Sequence, residues 1–181
     1  MSLVLTISGS PSAASRSASV AQHVGAQLAR HGLEVDQLQV RDLPAEDLLW
    51  ARFDSPAIQR ALAQVERARA VVIASPVYKA SYSGILKAFL DLFPQAGLAG
   101  KVALPILTGG TPTHLLALDY ALHPLLSILG ARLVVGGLFI LDSQIDRRPD
   151  GSVELDGALT PKLDSALAAL VAAVRQPPHP L

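Results

Sequence analysis

Several kinds of residue and segment are missing from this 181-residue sequence, and each absence excludes a class of function. There is no cysteine, which excludes disulfides, thiolate metal sites and cysteine-based phosphatase chemistry. No apolar run approaches the ~20 residues that a membrane-spanning helix needs, and the amino terminus lacks the basic segment of a signal peptide. The formal net charge is zero, which gives no electrostatic reason to expect nucleic acid or an anionic membrane as a partner. A soluble cytoplasmic protein is therefore expected.

Motifs of the common nucleotide and hydrolase sites are also missing. The loop after the first apolar segment has one glycine, Gly9, where a dinucleotide fingerprint needs three, and it lacks the Gly-Lys-Ser/Thr ending of a P-loop. There is no Gly-x-Ser-x-Gly elbow of a serine hydrolase. The histidines, at positions 23, 31, 114, 123 and 179, show no ligand spacing with carboxylates. We expect them at the surface or in helix caps, and we predict no metal site.

A serine-rich loop lies between the first predicted strand and the first predicted helix. The strand covers Leu3–Ile7, the helix runs from about Ser17 to His31, and the loop between them ends with Ser15 and Arg16. Hydroxyl groups and the free N–H groups of a helix start bind anions, and several hydroxyls suit a terminal phosphomonoester better than a bridging pyrophosphate. The loop thus predicts a mononucleotide such as FMN. A plain loop with an N-capped helix is the alternative interpretation.

Four further strand-like segments alternate with helical patterns along the chain. The strands are predicted at residues 35–40, 70–74, 102–107 and 133–140, and the helices at 46–50, from 56, at 85–93, at 113–129 and from 160. Residues 142–157 form a polar, hairpin-like excursion. The alternation predicts an α/β, flavodoxin-like three-layer sandwich with a five-stranded parallel sheet in the order 2-1-3-4-5. Residues 1–175 are predicted to form a single domain, and residues 176–181 a flexible tail.

In that strand order, the loops after strands one, three and four meet at one edge of the sheet, where ligands bind. The loop after strand three contains two of the three tyrosines, and the loop after strand four is a glycine turn. Apolar side chains offer a surface for a flat ring, and glycines let the backbone approach it. Each loop read alone is also consistent with an ordinary turn and helix cap. Pro76 and Tyr78 are the predicted apolar surface, and Thr108–Thr111 is the predicted place of backbone approach. Lys79 is expected to be a solvated charge that could attract the phosphate of a second nucleotide.

The helix predicted at residues 113–129 is apolar on more than one face. Its leucines, at 115, 116, 118, 122, 125, 126 and 129, need a second partner beyond the helix's own sheet. We therefore predict a homo-oligomer built on this helix. Pro124 inside it removes a backbone hydrogen bond and is expected to kink it or widen a turn.

Taken together, these segments resemble the NADPH-dependent FMN reductase family, and within it the flavin reductases of two-component alkanesulfonate monooxygenase systems. The resemblance covers most of residues 1–175. The segments that carry it are Gly9–Pro11, Ser15–Ser17, Pro76–Gly84, Thr108–Thr111, 46–49, 51–56 and 114–122.

The resemblance implies an enzyme that reduces FMN with NADPH and releases FMNH2 to a partner monooxygenase that liberates sulfite from alkanesulfonates. It implies that Ser10, Ser15, Arg16 and Ser17 hold the phosphate. It also implies that the isoalloxazine ring is surrounded by Pro76, Val77, Tyr78, Lys79, Ser81, Thr108, Gly109, Gly110 and Thr111. Many relatives carry arginine directly after Gly-Ser-Pro, where this sequence has Ser12. Hydride transfer to flavin N5 needs stacking of two rings rather than a protein acid or base, so no catalytic side chain is assigned.

The resemblance also concerns assembly. In these reductases the helix after the glycine turn contains an inserted tyrosine, forms a π-type widening and packs at a tetramer interface, and Tyr120 matches that position. We expect a tetramer or a dimer. Two alternative functions stay open at this point: an NAD(P)H quinone or azo-dye reductase that retains its FMN, and a flavodoxin-like electron carrier without NADPH activity. Such carriers are generally strongly acidic, and this sequence is neutral.

Overall fold

The computed structural model describes residues 3–149 and 152–176, so the predicted tail lies outside the described residues except for Gln176. The strands are β1 (Leu3–Ser8), β2 (Glu34–Gln39), β3 (Ala70–Tyr78), β4 (Ser81–Tyr82), β5 (Val102–Gly109), β6 (Leu133–Val134), β7 (Leu138–Leu141), β8 (Ile145–Arg147) and β9 (Val153–Leu155). The α-helices are α1 (Arg16–Arg30), α2 (Ala45–Leu49), α3 (Pro56–Arg67), α4 (Gly84–Leu90), α5 (His123–Ile128) and α6 (Thr160–Arg175). A π-helix covers Leu118–Leu122, and short 3₁₀ turns cover Val40–Asp42, Pro112–Leu115, Asp142–Gln144 and Gly157–Leu159.

The main sheet is parallel along the path β2-β1-β3-β5-β6, and β7 also pairs with β5 in parallel. This is the predicted flavodoxin-like order, with β5 as the fourth strand and with β6 and β7 as two parts of the fifth. Between the two parts of the fifth strand, Gly137 passes close to the π-helix. A Cβ atom there would lie 2.7 Å from Leu118 Cδ2.

Two apolar layers enclose the sheet, as the near-continuous apolar sequences of its central strands require. Alternate residues of each strand point to opposite faces, so Val4 and Val72 pack with α1 and α6, while Leu5 and Ile73 pack with α3 and α4. By length and apolar content alone, Gly157–Arg175 is long enough to cross a membrane. In this fold, however, its apolar side is part of the protein core, through Leu163, Leu167, Leu170 and Val174.

Several boundaries differ from the sequence prediction, and besides the interrupted fifth strand three elements differ by more than two residues. β3 does not end at residue 74 but continues to Tyr78, because its last residues pair with β4 and with β5. Helix α4 ends at Leu90 rather than at residue 93. The single helix predicted at 113–129 is a 3₁₀ turn, a π-helix and α5 in succession.

The widened turn confirms the expectation that was based on Pro124. Leu118–Leu122 forms the π-helix, and Pro124 lies directly after it in the first turn of α5. A π-type turn accommodates one extra residue and exposes side chains that a regular helix would turn elsewhere. Tyr120 lies within it and is 79% exposed.

Candidate active site

Three loops meet at the carboxyl edge of the sheet, because β1, β3 and β5 are neighbours. The N–H of Gly9 donates to the carbonyl of Ala74 over 2.8 Å, which joins the end of β1 to β3. On the other side of β3, Pro76 is in register with Thr108. The serine loop, the tyrosine loop and the glycine turn therefore start from adjacent positions, as the predicted strand order requires.

Ser83 connects the first of these loops to the second, and Ser75 is hydrogen-bonded to Ser83. The Ser83 hydroxyl donates to the carbonyl of Gly9 and accepts from the N–H of Leu86, 3.2 Å away, as the N-cap of α4. The Ser75 hydroxyl accepts from the N–H of Ser83 over 2.9 Å. Both serines are almost completely buried. The loops are thus fixed to each other by protein groups alone.

The serine loop ends at the N-cap of α1. The hydroxyl of Ser15 accepts from the N–H of Ala18 over 3.2 Å and lies 2.9 Å from the hydroxyl of Ser17. The first N–H groups of a helix have no acceptor within it, so those of Arg16 and Ser17 are available to an anion. Ser10 accepts from the N–H of Ser12 over 3.2 Å. Ser10, Ser15 and Ser17 are buried, whereas the Arg16 side chain is exposed.

The tyrosine loop is a two-residue β-hairpin turn in a strained conformation. Tyr78 pairs with Ser81 across the antiparallel strands β3 and β4. The two residues between them, Lys79 and Ala80, have φ values of 50° and 63°. Positive φ at both central positions is typical of a type I′ turn, which normally contains asparagine or glycine. Val77 is buried, and Tyr78 is about half exposed at the rim.

The glycine turn follows β5, whose last residues are buried. Thr108 is 2% exposed, and a Cβ atom at Gly109 would lie 3.2 Å from the ring of Phe139 and 3.5 Å from His114 Nδ1. Gly110 is exposed, and Thr111 caps the following turn by accepting from the N–H of Thr113 over 3.4 Å. Gly109 and Gly110 therefore present backbone groups without side chains at this edge of the sheet.

Comparison with known proteins identifies the family of this chain. The family model described as NADPH-dependent FMN reductase matches residues 2–146. The chain belongs to that family. It is 45% identical over 181 residues to the FMN reductase (NADPH) of Pseudomonas putida, with coverage of 99% of this chain and 91% of the relative. It is 44% identical over 170 residues to the FMN reductase (NADPH) of Escherichia coli, with coverage of 92% and 89%.

A solved structure supports the same assignment. The apo form of an NADH:FMN oxidoreductase superposes with a TM-score of 0.88 at 37% identity, covering 98% of this chain and 92% of that one. This chain is therefore an NADPH-dependent FMN reductase with a flavodoxin-like fold, and FMN and NADPH are its substrates. This assignment argues against the alternative of a flavodoxin-like electron carrier without NADPH activity.

The donor groups of the reductase fit the phosphate of FMN. The segment from Gly9 to Ser19 combines hydroxyls, helix N–H groups and one guanidinium, and it contains no carboxylate. A phosphomonoester needs donors on every exposed oxygen and positive charge nearby, which is what this segment supplies. Gly110, at the end of the neighbouring strand, is exposed, and a Cβ atom there would meet only Asp142 Oδ2, 3.8 Å away.

The histidines differ from the sequence expectation. His31 is exposed at the end of α1, but His23, His114 and His123 are half-buried, and His179 lies outside the described residues. Within residues 3–149 and 152–176, His114 Nδ1 and His123 Nε2 are buried without a hydrogen-bond partner. His114 lies beside the glycine turn, since a Cβ atom at Gly109 would be 3.5 Å from its Nδ1. No group of three potential metal-ligating side chains occurs in the same described ranges.

Sequence reasoning missed three residues at the site. Ser75 and Ser83 lie in the loop after the third predicted strand. Only the structure shows that Ser83 bonds to Gly9 of the serine loop and that Ser75 bonds to Ser83. Arg147, on β8, donates through Nη1 to the carbonyl of Ala14 over 3.1 Å. Because 133 positions separate the two residues, no local pattern could have revealed this contact.

Proposed function

We propose that FMN binds across the carboxyl ends of β1, β3 and β5. The observation that supports this placement is the convergence of three ligand-type loops on neighbouring strands. Ser10, Ser15, Arg16 and Ser17 are proposed to hold the phosphate. The residues proposed to surround the isoalloxazine ring are Pro76, Val77, Tyr78, Lys79, Ser81, Thr108, Gly109, Gly110 and Thr111.

In this proposal the protein binds and orients rather than supplying an acid or a base. The flavin ring itself accepts hydride at N5 from the nicotinamide of NADPH. The turn formed by Lys79 and Ala80 and the glycine turn hold backbone groups beside the ring, and the exposed ring of Tyr78 covers its rim. Correct stacking of two flat rings is the main requirement for transfer, so no side chain is proposed to be catalytic.

An anaerobic titration tests this proposal. The purified chain is titrated with FMN and then with NADPH or NADH, and flavin absorbance is followed. We expect the flavin to be lost during purification, to rebind when added and to be bleached by NADPH. A flavin that stays bound through purification would favour the quinone or azo-dye reductase alternative.

We further propose that FMNH2 passes to an alkanesulfonate monooxygenase in the cytoplasm, for sulfur acquisition. The support is the resemblance of residues 46–56 and 114–122 to the reductases of such systems. A coupled assay with a monooxygenase of this class, an alkanesulfonate, oxygen and NADPH should release sulfite only when the reductase is present. Full flavin reduction without sulfite would remove this part of the proposal and leave the reductase activity intact.

Self-association is proposed through the π-helix. Leu115, Leu116, Tyr120 and Ile128 are between 48% and 79% exposed along one segment, which is unusual for such large apolar side chains in a monomer. A Tyr120→Asp variant should shift a tetramer or dimer toward the monomer in sedimentation velocity. Unchanged sedimentation would show that Tyr120 does not lie in an interface.

A further inference from the structure

The β8–β9 hairpin presents an arginine to the serine loop. Ile145 on β8 and Val153 on β9 are 5% and 7% exposed and belong to the core that packs on α1. Because strand residues alternate, Arg147 lies on the same face of β8 as Ile145. Its Nη1 is 3.1 Å from the carbonyl of Ala14, the residue directly before the N-cap of α1.

The cavity that Arg147 lines contains no acidic side chain. It has a volume of about 200 Å³, and its other walls include Ser8, Ser15, Ser19 and Gln39. Across residues 3–149 and 152–176, Arg147 belongs to no ion pair, whereas the neighbouring Arg148 is paired with Glu154 over 2.6 Å. Arg147 therefore contributes an unpaired positive charge to this end of α1, while Asp146 lies on the opposite face of β8.

We propose that Arg147 is a second phosphate-binding cation of the FMN site, which rests on the function proposed above. A phosphomonoester carries a charge of about −1.5 to −2 at neutral pH. The N-terminus of a helix contributes roughly half a positive charge, and Arg16 contributes one. Arg147 brings the total to about +2.5, enough to balance the dianion.

The guanidinium has enough donors for both contacts. Arginine carries five N–H groups in a planar fork, and the Ala14 carbonyl uses one of them. The remaining N–H groups are available to phosphate oxygens, for which the fork geometry is well suited. The contact with Ala14 positions the guanidinium, and its charge binds the phosphate.

Flavin affinities of four proteins test the assignment: the unmodified chain, Arg147→Ala, Arg147→Gln and the matched control Arg148→Ala. Binding of FMN and of riboflavin, which lacks the phosphate, is measured by quenching of flavin fluorescence at two salt concentrations. Removal of a charge-assisted contact should weaken FMN binding by Arg147→Ala roughly five- to twentyfold. Riboflavin binding should stay the same, and the Arg148→Ala control should match the unmodified chain for both ligands.

Arg147→Gln removes the charge but keeps a polar side chain with N–H donors, two atoms shorter than that of arginine. We expect it to weaken FMN binding as much as Arg147→Ala does, and to reduce the salt dependence of binding. If Arg147→Gln binds FMN like the unmodified chain, or if Arg147→Ala weakens FMN and riboflavin equally, Arg147 only supports the loop and the inference is overturned. Thermal unfolding of each variant identifies any that is misfolded.

The same data separate this inference from the proposed function. If the unmodified chain binds riboflavin as tightly as FMN, the phosphate site itself is refuted. If the unmodified chain prefers FMN and all the variants keep that preference, only the role of Arg147 is refuted.

Discussion

The hydroxyl of Ser83 donates to the carbonyl of Gly9, so the cap of α4 is also the support of the serine loop. Gly9 is confined there from the other side too, since a Cβ atom on it would lie 2.6 Å from Leu86 Cβ. Helix α4 and the loop after β1 are therefore packed in direct contact, with no space for a side chain between them. The position of the proposed phosphate site depends on this junction.

Ser83→Ala should destabilise the protein more than an ordinary cap mutation does. Loss of an N-cap costs about 1 kcal/mol, and a buried carbonyl left without a donor costs about 1–3 kcal/mol more. We expect a decrease of about 2–4 kcal/mol in the free energy of unfolding in urea, together with weaker FMN binding. Ser127→Ala is the control. It removes an exposed hydroxyl that donates to the carbonyl of His123, four residues earlier in the same helix. Equal effects of the two substitutions would contradict the role of Ser83.

The proposed phosphate contacts predict a separation between affinity and turnover. Arg16→Ala and Ser15→Ala should raise the FMN concentration needed for half-maximal NADPH oxidation and change the saturated rate much less, because they act on binding remote from the reacting ring. Ser15→Ala should also cost about 1 kcal/mol of stability as a lost N-cap. Arg30→Ala, at the opposite end of the same helix, is the charge control. A collapse of the saturated rate with unchanged FMN affinity would refute the assignment.

The convergence of the three loops could be predicted from the sequence because the relevant signals are local. The serine loop, the tyrosine loop and the glycine turn each follow an apolar strand, and the parallel strand order alone brings their ends together. Pro124 indicated an irregular helix, and the structure confirms the widened turn. The oligomer predicted from the apolar surface of residues 113–129 stays a prediction.

What sequence reasoning missed depends on contacts between distant segments. The extension of β3 to Tyr78 is stabilised by pairing with β4 and β5, which no propensity of Ser75 or Pro76 indicates. Arg147 reaches the serine loop only because Ile145 is anchored in the core. Contacts of this kind form only when distant segments pack together, so they cannot be predicted from local sequence patterns.

The turn formed by Lys79 and Ala80 stores strain that a substitution can release. A left-handed conformation costs an L-residue other than glycine or asparagine about 1–2 kcal/mol. Ala80→Gly should therefore raise the free energy of unfolding, by about 0.5–1 kcal/mol once the greater freedom of the unfolded glycine is subtracted. The matched control is Ala63→Gly, the same substitution at an exposed position inside α3, which should lower it by about 1 kcal/mol. Destabilisation by Ala80→Gly as large as that of the control would show that the turn is unstrained.

The lowered pKa of His23 predicts how the stability of the protein changes with pH. Burial, and to a smaller extent the positive charge of Arg30, lowers the pKa of His23 below its usual value. The unfolded chain then binds more protons than the folded one at pH values just below about 6.5, so stability rises with pH through that window and falls on acidification. For one proton the slope is at most about 1.4 kcal/mol per pH unit, and it is smaller here because the ring is only half-buried.

Urea unfolding at pH 5, 6, 7 and 8 tests this relationship. The unmodified protein should lose more stability between pH 7 and pH 5 than His23→Gln does, because glutamine removes the group that the unfolded state protonates preferentially. His31→Gln is the matched control, since it removes an imidazole from the exposed end of the same helix. His23 lines the same cavity as Val153 and Leu155 of β9, so its protonation acts at the contact between α1 and the hairpin that carries Arg147. If His23→Gln keeps the full pH dependence of the unmodified chain, the acid sensitivity arises elsewhere and His23 does not contribute to it.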